Sequence, residues 1–247
     1  VEDNKDLREI IYDKLEKSYK VFVADNGINA LELINAHEID IVVSDVMMPV
    51  MDGLTLCRTI KKDINTSHIS VLMLTAKDSP QDRIDCYEAG AEGYISKPFE
   101  LAVLEARLKN LINSTNMKMK KFQQNHEVNI SSMEYSSADE EYLKTAISKV
   151  EERLADEKYD FEQFAMDMSS SKSTLHRKLK SLTGLSPWEF IRNIRLKHAA
   201  QMLKNSVGNV SEISFKVGFN DPKYFSRCFK TEFGMTPKEF QDQHRES

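Results

Sequence analysis

The chain has 247 residues, 40% of them hydrophobic and 30% charged, with 34 Lys and Arg against 39 Asp and Glu for a formal net charge of −5. That length suits two domains, and no apolar run in these residues is long enough to cross a bilayer or to read as a signal peptide, which leaves open whatever precedes Val1. Cys57, Cys86 and Cys228 are scattered without disulfide or metal spacing, and the six histidines show no zinc pattern, so a reducing, cytoplasmic setting is expected and a disulfide or zinc scaffold is not.

In chain order, an acidic pair, Glu2-Asp3, comes first. The apolar run Ile41-Val42-Val43-Ser44 then leads into Asp45 and the loop Val46-Met47-Met48-Pro49-Val50-Met51-Asp52-Gly53. A run of that kind suits a parallel strand buried on both faces, and ligands bind outside the carboxyl ends of such strands. Val71-Leu72-Met73-Leu74 ends in the hydroxyl of Thr75, and Tyr94-Ile95-Ser96 in the amine of Lys97. In a parallel sheet all of these converge on one edge. Three carboxylates close together resist being ionised at once, so the site calls for a divalent cation, and hard oxygen ligands point to magnesium. An aspartate oxygen can then attack a phosphoryl group, while the cation and Lys97 neutralise the phosphoryl oxygens.

With these residues in view, positions 1–113 resemble a response-regulator receiver domain. The stretch Asp-Val-Met-Met-Pro-Val-Met-Asp-Gly at 45–53, Leu-Thr-Ala at 74–76 and Lys-Pro-Phe at 97–99 keep that family's order and spacing. The resemblance implies a flavodoxin-like, doubly wound parallel sheet. It implies that Asp45 is the phosphoacceptor, that Asp3 and Asp45 are side-chain Mg2+ ligands, that Glu2 assists through water and that the backbone carbonyl of Met47 completes the set. It also makes Lys97 the counter-cation and Thr75 and Tyr94 a switch pair. One departure stands at the start: a receiver opens with an apolar strand before its acidic pair, and Val1 is all of it that this chain carries. That strand is interior in the order 2-1-3-4-5, so the chain is expected to be a piece of a longer protein with its first strand missing.

Residues 114–139 are polar, rich in Asn, Ser, Lys, Gln and Glu, and read as a linker with helical character near Met117 to Phe122. Charge separates the two ends: residues 1–113 carry 13 Lys and Arg against 20 Asp and Glu, a net of −7, whereas residues 160–247 carry 14 against 10, a net of +4. A basic C-terminal part suggests a nucleic-acid partner. A helix is expected from Glu140, where Leu143, Ile147, Val150 and Leu154 recur at spacings of three and four, and it opens a second domain over 140–247.

That domain contains a repeat. Residues 173–190 and 223–240 align at an offset of 50, with identity at Arg177 and Arg227, Lys180 and Lys230, Gly184 and Gly234, Pro187 and Pro237, Glu189 and Glu239, and Phe190 and Phe240. Leu175, Leu179 and Leu182 line one helix face and Phe225, Phe229 and Phe233 the other. A glycine then ends each helix, and Ser186-Pro187-Trp188-Glu189 and Thr236-Pro237-Lys238-Glu239 restart helices as capping boxes. Shorter helices, Phe161 to Met168 and Val210 to Val217, precede each copy. Two helix-turn-helix units joined by one long helix from Pro187 to Leu203 follow.

This arrangement resembles the AraC-type DNA-binding domain over about 140–243, on Val217-Gly218-Phe219, Asp221-Pro222-Lys223-Tyr224-Phe225-Ser226-Arg227 and Phe233-Gly234-Met235-Thr236-Pro237. The resemblance implies recognition helices at about 171–182 and 221–232. Ser173, His176 and Arg177, with Lys223, Tyr224 and Arg227, are then base-edge candidates, and Lys172, Lys180 and Lys230 phosphate contacts. Trp188 reads as packing beside a cap and His198 as lying beside the core. Together the modules imply a DNA-binding response regulator rather than an enzyme in its own right. Its partners are a histidine kinase and double-stranded promoter DNA, it forms a homodimer on activation, and an upstream sensor kinase in the same polypeptide would tether it to the inner membrane. A phosphorelay receiver whose C-terminal module is a scaffold is the alternative.

Overall fold

A computed structural model describes residues 1–76, 79–125, 135–205 and 207–245, and the chain divides into two compact units, Val1–Asn116 and Met117–Ser247. In the first unit the described elements are α1 (Lys5–Leu15), α2 (Gly27–Ala36), β1 (Ile41–Asp45), α3 (Gly53–Lys62), β2 (Ser70–Thr75), α4 (Pro80–Glu88), β3 (Gly93–Ser96) and α5 (Leu101–Gln124), the last of which runs past the division. The three strands are parallel in the order β1-β2-β3, with Asp45 beside Leu74 and Thr75 beside Ser96.

Because side chains alternate across a strand, β2 feeds two cores. Val71 and Met73 pack with Ile34 of α2, Leu56, Cys57 and Ile60 of α3 and Cys86 of α4. Leu72 and Leu74 face the other way, into Leu15 of α1 and Leu104 and Leu108 of α5. All six residues of β2 are buried, as expected of a strand covered on both faces. The doubly wound arrangement read from the sequence is therefore present. Val1 and Glu2 lie alongside β1 in the place of the expected first strand: Val1 N donates to Val43 O at 2.6 Å, Asp45 N to Val1 O at 2.9 Å and Glu2 N to Ala24 O at 3.1 Å. Residues 20–24 are not assigned as a strand.

The second unit is helical: α6 (Ser137–Glu152), α7 (Phe161–Asp167), α8 (Lys172–Thr183), α9 (Pro187–Lys204), α10 (Val210–Lys216), α11 (Pro222–Phe233) and α12 (Pro237–Arg245). α6 starts three residues before the expected Glu140, because the Ser136 hydroxyl caps Asp139 N and nucleates the turn earlier than the apolar periodicity begins. The helical character near Met117 to Phe122 is the end of α5, and Phe122 is buried among Leu143, Phe164, Leu179 and Phe190.

The repeat folds twice over. Leu175, Leu179 and Leu182 of α8 enter the core that holds Phe122, whereas Phe225, Phe229 and Phe233 of α11 enter a separate one with Ile213 and Phe219. Between them α9 serves both, giving Phe190, Ile191 and Ile194 to the first and Leu196, Ala199 and Leu203 to the second. Gly184 and Gly234 end α8 and α11 at φ 72° and 77°, the left-handed cap expected of glycine. Both capping boxes form: Ser186 with Glu189, and Thr236 N donating to Glu239 Oε2 at 2.7 Å. Trp188 is 56% exposed, contrary to its reading as a packed residue, because the first turn of α9 buries Pro187 and Phe190 and turns position 188 outward.

Candidate functional site

Parallel strands bring their carboxyl ends to one edge, and there β1 presents Asp45, β2 Thr75 and β3, one residue on, Lys97. Lys97 Nζ donates to Asp45 Oδ2 at 2.7 Å and to Glu2 Oε2 at 2.8 Å. Asp45 and Glu2 are buried, at 8% and 3% exposure. Burial alone lowers the Lys97 ammonium, but the hydrogen bonds to Asp45 and Glu2 outweigh it and the net shift is upward, so the amine is held charged. Glu2, Asp3 and Asp45 each place one ligand oxygen within a 4.8 Å cluster. Hard oxygen donors so gathered suit a divalent cation. Met47 N lies 3.4 Å from Asp45 Oδ1, and its side chain points to solvent at 60% exposure. Thr75 is buried, and its carbonyl accepts from Lys97 N at 2.7 Å. Tyr94 is half-buried on β3, edge-on to Tyr87 at 5.9 Å with the Arg83 guanidinium 5.5 Å from its centroid.

The loop after Asp45 has its own mechanics. A Cβ at Gly53 would stand 2.0 Å from the Asp45 carbonyl oxygen, so only glycine lets α3 begin against the end of β1. Asp52 caps that helix, accepting from Thr55 N at 2.7 Å. The Asp-Gly pair thus fixes the approach of α3 to the acceptor strand.

On the helical unit, Ser173, His176, Lys172 and Lys180 of α8 and Lys223, Tyr224, Arg227 and Lys230 of α11 are exposed, and Arg177 is half-buried. These side chains occupy the faces of α8 and α11 opposite the leucine and phenylalanine stripes. The Arg227 guanidinium lies 5.5 Å from the Tyr224 ring centroid, Lys172 pairs with Glu162 at 3.2 Å, and Lys180 Nζ donates to the Gly184 carbonyl at 2.8 Å.

The sequence reading passed over the buried charges beneath these helices. Lys178, 1% exposed, donates to Asp139 Oδ1 at 2.6 Å and lies 5.3 Å from the Tyr142 ring centroid. Its position between Leu175 and Leu182 on the apolar face of α8 was the available signal. Lys197, 2% exposed, donates to Phe122 O at 3.1 Å, and burial pushes its amine down to about 8. Arg195 is buried too and donates to the carbonyls of Gly218 and Asp156. His198 is half-buried, 2.8 Å from Glu151 Oε1.

A parallel sheet with an acidic pocket and a lysine at its carboxyl edge, followed in the chain by a doubled helix-turn-helix, is the arrangement of a receiver domain followed by a helix-turn-helix module. Residues 1–109 match the response regulator receiver domain and residues 164–243 a helix-turn-helix domain of AraC type. The chain is 41% identical over 246 residues to histidine kinase P4 of Formosa agariphila, covering 100% of this chain and 18% of that protein. It is 32% identical over 204 residues to the probable transcriptional regulator ycf27 of Cyanidium caldarium, covering 79% of each. A receiver domain of a signal transduction histidine kinase from Syntrophus aciditrophicus has 34% identity over 46% of this chain and 86% of its own, with a TM-score of 0.44. The chain belongs to the response-regulator family. It spans less than a fifth of the length of the Formosa kinase. Among the described residues no helix is long and apolar enough to cross a membrane.

Proposed function

We propose that the chain is a phosphorylation-controlled transcription regulator in which Asp45 takes a phosphoryl group from a histidine kinase and thereby controls DNA binding by the C-terminal helices. The observation that carries this reading is the meeting of Asp45, Glu2, Asp3 and Lys97 at one sheet edge, in the same chain as two exposed recognition helices. Asp45 Oδ attacks the phosphorus and the bond from phosphorus to the kinase histidine breaks. Lys97, held charged, follows the phosphoryl oxygens. Asp3 and Asp45, the Met47 carbonyl and, through water, Glu2 would hold a Mg2+ ion, which supplies charge neutralisation at the transferred group. Thr75 and Tyr94 respond to the added oxygens and bias a two-state surface that pairs two chains. Arg177 and Arg227 read guanine edges, Ser173, His176, Lys223 and Tyr224 neighbouring bases, and Lys172, Lys180 and Lys230 phosphates.

The test is footprinting on duplex DNA enriched from a random pool by the full chain, with and without acetyl phosphate and Mg2+. Protection should strengthen with the phosphodonor in the wild type and not in Asp45→Asn. Equal protection by both proteins under all conditions refutes phosphoryl control, and no enrichment at all favours a relay receiver with a scaffold module.

A further inference from the structure

The two repeats share sequence at their helix ends and differ in what those ends touch. Gly184 and Gly234 hold the same left-handed conformation, at φ 72° and 77°. Around Gly234 no heavy atom lies within 4 Å of where a Cβ would stand. At Gly184 that position is 2.5 Å from Gln123 Nε2 and 3.5 Å from Met119 Cβ, two residues one turn apart on α5. Gln123 Nε2 also donates to Thr183 O at 2.8 Å, filling one of the carbonyls that the end of α8 leaves open. α5 is itself anchored beside this contact: Phe122 is 1% exposed, its ring lies 5.8 Å from that of Phe190, and its carbonyl accepts from the buried Lys197. None of the residues of the core beneath α11 comes from α5.

We infer that Gln123 is a positioning residue for the first recognition helix alone, so that DNA reading by α8 depends on the last turn of α5 while reading by α11 does not. Nothing in the repeat requires this asymmetry. It arises because the space beside one of the two cap glycines is taken by a neighbouring amide, that of Gln123, and beside the other it is open. The inference makes the polar stretch after residue 113 more than a tether: its helical end is a structural part of the reading head. It rests on the proposed DNA-binding function, deepening it by assigning one half of the binding site to a control that the other half lacks.

The full chain is used, with the duplex enriched by the wild type, whose footprint should show two halves about one helical turn apart. Gln123→Ala should fold and melt near the wild type yet lose roughly tenfold in affinity through the half-site under α8, as expected for one hydrogen bond to a helix end, with the α11 half unchanged. Gly184→Ala and Gly234→Ala serve as a second, matched pair, because a Cβ in the left-handed region costs both alike. Only Gly184→Ala meets Gln123, and only it should weaken the α8 half selectively. Equal loss in both halves, no loss in either, or the same pattern from Gly234→Ala overturns the inference. If the wild type enriches no duplex, the DNA-binding reading itself fails and takes this one with it, an outcome distinct from all the others.

Discussion

In the acceptor pocket Asp45 and Glu2 are buried and bonded to a half-buried Lys97; on the recognition helices all the candidate side chains but Arg177 are exposed. Asp45, Glu2 and Lys97 are joined by two hydrogen bonds under 3 Å. Ser173, His176, Lys223 and Arg227 stand outward from helices whose opposite faces are packed. The difference teaches where chemistry and recognition store their information. Group transfer needs charges fixed before the reaction, so the pocket carries its own counter-ion. Base reading needs donors free to meet a partner, so the helices place precision beneath the surface, in the residues that aim them.

The sharpest break in that comparison lies under α8. Lys178→Ala should leave the Asp139 carboxylate buried without its ammonium and destabilise the second unit by about 3–5 kcal/mol in urea unfolding, whereas the paired change Asp139→Leu with Lys178→Met should fold at near wild-type stability. In the pocket, Lys97→Met should leave the fold intact and slow phosphorylation by acetyl phosphate by about 10²–10³-fold, followed by intact mass. Lys197 offers a pH arm. Its amine is lowered by burial from 10.5 to about 8 in the folded unit. Between those values the unfolded chain binds the proton that the folded one has released, so stability should rise with pH across that window, by roughly 3 kcal/mol in all, and Lys197→Met should flatten the rise. The proposed base readers should cost less: Arg177→Ala or Arg227→Ala should lose about 1–3 kcal/mol of affinity and relax preference at one base pair, with melting unchanged for the exposed Arg227. Smallest is the turn of the first helix-turn-helix, where Ser169 holds φ 49° at the place that Gly218, φ 76°, holds in the second. Ser169→Gly should raise stability by about 1 kcal/mol, and a loss would show that the serine side chain supports the turn.

Much of this was legible from the residues alone. Strand ends were marked by short, largely apolar runs, and the repeat was marked by its glycines and capping boxes, because both signals are local and periodic. Asp45 and Lys97, 52 positions apart, could be placed at one edge only because parallel strands share a polarity. What stayed hidden was long-range and buried. Lys178 reads as one more surface lysine until its partner Asp139, 39 positions earlier, is seen beneath it. The start of α6 was missed by three residues because a serine hydroxyl, not hydrophobic periodicity, begins it. Trp188 was misplaced because size and apolarity favour burial, while the turn geometry at Pro187 decided otherwise. The residues proposed for bases and phosphates are legible as polar positions on the outward faces of α8 and α11.

α9 gives its first half to one core and its second half to the other, with eleven of its residues buried. A helix packed into both cores is fixed against α8 at one end and α11 at the other, so it spaces these two helices. Each residue along it advances 1.5 Å and about 100°. One residue inserted in its middle would swing the second reader about a quarter-turn out of phase with the first. With α8 and α11 reading DNA as proposed, the length of α9 would set the spacing between their two half-sites.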